Sequence, residues 1–62
     1  MKRTKLIAHL NAHKCILLRE GTKHSIFQNL TTGVRVSVPR HATVLDTTVQ
    51  AICLQLGIPR MK

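Results

Sequence analysis

Apolar residues change their rhythm along the chain, and the changes mark the elements. Leu6, Ile7 and Leu10 recur at helical spacing. They predict a helix from Lys5 to about His13, with Thr4 as its N-cap. Cys15-Ile16-Leu17-Leu18 and Ser25-Ile26-Phe27-Gln28-Asn29 instead have the length and residue types of strands. Arg19-Glu20-Gly21-Thr22-Lys23-His24 joins them. It reads as a β-hairpin whose connection, Glu20 to Lys23, contains a glycine free to take positive φ, with His24 opening the returning strand. Leu30-Thr31-Thr32-Gly33 fits a second hairpin turn. Val34-Arg35-Val36-Ser37-Val38 then alternates strictly, valines inward and Arg35 and Ser37 outward, until Pro39 ends the strand. Val49, Ile52, Cys53 and Leu56 fall at i, i+3, i+4 and i+7 and predict a second helix, capped by Asp46 or Thr47. Gly57 suits its C-terminal cap, Ile58 the accompanying apolar contact, and Pro59 forbids continuation. Arg60 and Lys62 follow at the negative end of the helix dipole.

The expected fold is α+β in the order α-β-β-β-α. A three-stranded antiparallel meander has one apolar face, and both helices should pack on it and leave the other open. On the third strand Arg35 and Ser37 face outward. On the second, burying Phe27, the one aromatic residue, places His24, Ile26 and Gln28 on the open face. The competing register buries Ile26 and His24; the first is favoured because a titrating side chain rarely belongs in so small a core. The first strand is apolar throughout. Placing Arg19 outward sends Leu17 outward with it and turns Ile16 and Leu18 inward. The open face then carries Arg19, His24, Arg35 and Ser37 around a small apolar patch of Leu17 and Ile26, suited to a protein partner as well as to RNA.

Sixty-two residues bound the chain to one small domain, of a size that buries only about 60% of the surface its unfolded form exposes. A partner covering exposed surface would stabilise it by mass action. Ten Lys and Arg against Glu20 and Asp46 give a net charge of +8. That points to a polyanion, either nucleic acid or an acidic protein. Cys15 and Cys53 lack metal or redox spacing and read as buried thiols of a reduced, cytoplasmic chain. No apolar run is long enough to cross a membrane. His9 and His13 share a helical face, but no nearby Cys, Asp or Glu completes a metal site, and they read as a solvated pair.

Taken together and in order, these pieces resemble the HicA-type toxins, the small mRNA interferases of bacterial toxin–antitoxin pairs. The matching residues are Lys2-Arg3, Leu6-Ile7 and Leu10, then His13 and Cys15, Arg19-Glu20-Gly21 followed by His24, and Gly33. Val38-Pro39-Arg40-His41, Thr48, Ile52, Gln55 and Gly57-Ile58 complete the set. The resemblance implies a double-stranded-RNA-binding-domain-like fold, cleavage of mRNA by a histidine near the start of the second strand (here His24), and neutralisation by a HicB-like antitoxin in a hetero-oligomer. Two positions depart from the family pattern: Lys14 stands where Gly is common, and Leu30 where Pro is common.

RNA carries its own nucleophile, the 2′-hydroxyl. Cleavage needs a base for its proton, cations for the charge that builds on phosphorus, and an acid for the leaving 5′-oxygen. His24 is the expected catalytic acid or base. Lys23, Arg19, Arg35, Arg40 and His41 are the expected phosphate ligands. No second general acid is assigned from the sequence; His41 would serve only if the fold brings it close. With Glu20 and Asp46 isolated, no carboxylate cluster suggests a metal, so cofactor-free cleavage is expected. The alternative is an RNA-binding module using the same basic face without catalysis.

Overall fold

The computed structural model describes residues 1–61; Lys62, expected near the end of the second helix, lies outside them. Helix α1 (Arg3–Ala12) is followed by strands β1 (Cys15–Glu20), β2 (His24–Asn29) and β3 (Arg35–Pro39), and then by helix α2 (Asp46–Leu56). The strands form one antiparallel sheet in the order β1-β2-β3. Both helices cover the same face, α1 lying against β1 and α2 against β3. Leu6 and Leu10 from α1 and Val49, Ile52, Cys53 and Leu56 from α2 close over Cys15, Phe27, Val36 and Val38. This is the α+β order that the rhythm of the chain predicts, with the expected apolar faces turned inward.

Both helices start differently from expectation. The N-cap of α1 is Lys2 rather than Thr4, and the N-cap of α2 is Leu45 rather than Asp46 or Thr47; neither makes a side-chain cap bond. Long-range pairing sets the start of α1. The Arg3 amide donates to Ala42 O at 2.9 Å, Val44 N donates to Met1 O at 2.8 Å, and Lys2 bridges Thr43. A short extended pair thus holds the first residues against the β3–α2 connector and begins the helix earlier than local capping would. Asp46 falls in the first turn of α2, where a carboxylate is favoured by the helix dipole. It also meets the N-terminal ammonium at 3.5 Å.

The C-terminal end of α2 follows its sequence signal. Gly57 adopts φ +70°, and the amides of Gly57 and Ile58 reach back to Leu54 O and Cys53 O. Ile58 packs against the core, the apolar contact that accompanies such a cap. The first hairpin turn is shorter than expected. Glu20 belongs to β1, leaving Gly21 to Lys23 as the connection. Gly21 is not at positive φ; its setting is one of close approach, since a Cβ there would stand a tight 3.2 Å from the His24 carbonyl oxygen, which its amide bonds at 2.8 Å. The strand after the second turn runs one residue later than its valine pattern suggests, Arg35 to Pro39.

Register places Ser25, Phe27 and Asn29 on the covered face and His24, Ile26 and Gln28 on the open one. On β1 the expected facing is wrong for Ile16 and Leu17. Ile16 pairs with Gln28 and so shares the open face, whereas Leu17 pairs with Phe27 and lies on the helix side, 47% exposed beyond the helices' reach. The cause is a bulge between Leu17 and Arg19. An extra residue breaks the two-residue period, so facing cannot be counted across it. Arg19, beyond the bulge, pairs with Ile26 on the open face as expected.

Candidate active site

The open face is laid out in rows by the ladder. Ile16, Gln28 and Arg35 form one row; Arg19, Ile26 and Ser37 the next; His24 faces Pro39 at the end. His24 is exposed at the mouth of the first turn. It forms a wall common to two shallow depressions. One is lined by Arg19, Lys23, Ile26 and Ser37 besides His24, the other by Thr22, Lys23, Arg40 and His41. The fold therefore gathers Arg19, Lys23, Arg40 and His41 around His24. Arg35 is not gathered. It stands four residues from Pro39 along β3, roughly 13 Å at strand rise, at the far end of the face.

The turn that carries Lys23 is fixed from outside. Arg40 Nη1 donates to Gly21 O at 3.0 Å, and the Arg40 amide donates to Lys23 O at 3.3 Å. Arg40 is thus partly engaged in holding the turn, while the rest of its guanidinium fork remains available to an anion. Lys23 and Arg19 have no acidic partner among the described residues, so their charge is free to act on a ligand.

Behind His24 lies a network that sequence reading missed. Ser25 is fully buried. Arg3, the first residue of α1, donates from Nη2 to Ser25 Oγ at 2.8 Å and from Nε to Pro39 O at 2.9 Å. The Ser25 hydroxyl in turn donates to Glu20 Oε1 at 3.3 Å. One guanidinium therefore grips the neighbour of His24 and the residue paired with it. The signal available in the sequence was Ser25 itself: once Phe27 is turned inward, so is Ser25, and a buried hydroxyl requires a partner.

The remaining candidates are structural. Cys15 and Cys53 are free and fully buried. Burial pushes both thiols up, with the neighbouring Cys53 adding to the rise at Cys15; such sulfurs pack rather than react. His9 and His13 stack edge to face with centroids 4.6 Å apart, and His9 Nε2 lies 2.7 Å from Pro59 O, a contact in which the ring nitrogen donates. Among the described residues no three His, Cys, Asp or Glu side chains converge as a metal site requires. Among the described residues no helix is long and apolar enough to cross a membrane.

An exposed imidazole flanked by an ammonium and guanidinium groups can bind a phosphodiester and move a proton at it. No protein-family model, curated protein or solved structure matches the chain. The functional reading accordingly rests on the residues and their placement.

Proposed function

We propose that the chain is a HicA-type mRNA interferase, a toxin that cleaves RNA with His24 and is held inactive by a HicB-like antitoxin. One observation carries the reading above the others: His24 stands exposed at the end of an uncovered sheet face, with Lys23, Arg19 and Arg40 around it. His24 takes the proton of a 2′-hydroxyl. Lys23, Arg19 and Arg40 bind the RNA phosphates around His24 and offset the charge that develops at the one being cleaved. The order and spacing of the motifs, the net charge of +8 and the α-β-β-β-α architecture all agree with this class. The fold is of the double-stranded-RNA-binding-domain type in this reading, and the protein acts in the cytoplasm on mRNA.

An antitoxin fits the same surface. Ile16 and Ile26 lie on the open face among cations, and Leu18 stands exposed at the bulge of the edge strand β1. An acidic partner with apolar residues at its centre would cover the site and bury these side chains. The resulting hetero-oligomer would stabilise a domain whose own core is small.

The test is direct. Purified chain is incubated with single-stranded RNA in the presence of a chelator, alongside His24→Ala. The expected result is cleavage by the wild type, leaving 2′,3′-cyclic phosphate ends, with at least about a 100-fold slower rate for His24→Ala and unchanged RNA binding. Binding without cleavage by the wild type would instead identify a passive RNA-binding module.

A further inference from the structure

The β3–α2 connector is short and tied at both ends. On one side of His41, Arg40 bonds the first hairpin turn through both its side chain and its amide. On the other, Ala42 O accepts from the Arg3 amide and Thr43 bridges Lys2. His41 is thus presented, exposed, on a tethered bend rather than on a loose loop. It lies two residues beyond Pro39, the residue paired with His24, and the two imidazoles line one depression together with Thr22, Lys23 and Arg40.

We infer that His41 is the general acid of the reaction in which His24 is the base, an inference that rests on the ribonuclease reading. Cleavage of a phosphodiester by its own 2′-hydroxyl is an in-line displacement, so the proton acceptor and the proton donor stand at opposite ends of the reacting phosphate. A phosphate held by Lys23 and Arg40 in this depression has both imidazoles in its lining, one to serve at each end of the displacement. Neutral His24 accepts the 2′-hydroxyl proton as the 2′-oxygen bonds phosphorus. The bond from phosphorus to the 5′-oxygen breaks, and the His41 imidazolium gives its proton to that oxygen. The products are a 2′,3′-cyclic phosphate and a 5′-hydroxyl. The histidines end in exchanged protonation states and are reset by proton exchange with water. Imidazole suits the acid role better than a lysine ammonium, because its ordinary pKa lies near neutral pH, about 6.5 against about 10.4. The other two histidines are placed elsewhere: His9 and His13 stack together on α1, and His9 bonds Pro59 O.

The test separates proton donation from binding. The single-stranded RNA of the cleavage assay is prepared in two forms, with the natural 5′-oxygen linkages and with 5′-sulfur linkages in their place. A thiolate leaves without being protonated. His41→Ala is expected to cut the oxygen linkage at least about 100-fold more slowly, to cut the sulfur linkage within a few-fold of wild type, and to bind a 2′-deoxy analogue as the wild type does. His24→Ala is expected to be slow on both. An equal slowing of His41→Ala on the two linkages, or none on either, overturns the acid role while leaving the ribonuclease reading standing. A wild type that cleaves neither linkage overturns both.

Discussion

The two ends of β2 face the same task and differ in what they leave over. At each end a buried polar side chain ties the sheet to the terminus of a helix. Ser25 accepts from Arg3, the first residue of α1, and Asn29 Nδ2 donates to Leu56 O, in the last residue of α2, at 2.7 Å. At the Asn29 end the side chains of Asn29 and Gln28 are turned to structure, and only Arg35 on the open face is left over. Asn29 Oδ1 accepts from Thr31 N, Gln28 Nε2 donates to Gly33 O, Gly33 takes φ +80°, and Lys14 closes the α1–β1 link at φ +63°. At the His24 end the bonds lie behind the sheet, through Arg3 and Ser25, or beside it, through Arg40. His24, Lys23 and Arg19 in front are left free. A domain with so small a core can present a reactive group rigidly if its supports sit on the opposite face.

Arg3 makes the point most clearly. A cation in the first turn of a helix opposes the helix dipole, and α1 has no acidic residue there to offset it. Its place is explained by what it holds, Ser25 Oγ and Pro39 O, and not by α1.

This contrast can be broken from either side. The largest loss of stability is expected from Asn29→Ala, which leaves the Leu56 carbonyl without its partner in a buried setting and the Thr31 amide without its partner at the turn. It should lower unfolding free energy by about 2–3 kcal/mol, read from the urea midpoint. Arg3→Ala should cost less, about 1–2 kcal/mol, because its guanidinium is only half-buried. Its sharper signature is on cleavage: a loosened His24–Pro39 pair should lower the rate while RNA binding is retained, whereas Asn29→Ala should leave the rate per folded molecule unchanged. Lys14→Gly is expected to act in the other direction. A left-handed non-glycine residue is strained, and removing the side chain should stabilise the fold by about 0.5–1 kcal/mol net of glycine's extra freedom in the unfolded chain. A lowered midpoint for Lys14→Gly would show that its side chain contributes more than its backbone costs.

What could be read from the chain follows from range. The buried face of α2, the inward turn of Phe27 and the outward turn of His24 depend on local periods, and these were legible. The left-handed position was legible only indirectly, as Lys14 standing where the resembled family often has Gly. Three features were hidden because they depend on distant partners or on one extra residue. The start of α1 is set by Ala42 and Thr43. Arg3 bonds residues 22 and 36 positions away. The bulge at Leu17 and Arg19 exchanges the facing of Ile16 and Leu17 without altering their strand character. Within the candidate site, the gathering of Lys23, Arg40 and His41 followed from their closeness to the turn and to Pro39. The outward facing of Arg35 was legible too, but four residues of strand separate it from the histidine's row, a distance that no local period reveals.

The division between supporting and reacting side chains is tested most directly by measuring stability and RNA cleavage on the same preparation of His24→Ala. The account predicts an unfolding midpoint within about 0.5 kcal/mol of wild type, as for an exposed side chain without structural partners, together with near-complete loss of cleavage. A variant that cleaves as fast as the wild type, or that loses its activity only in proportion to lost folded protein, would contradict it.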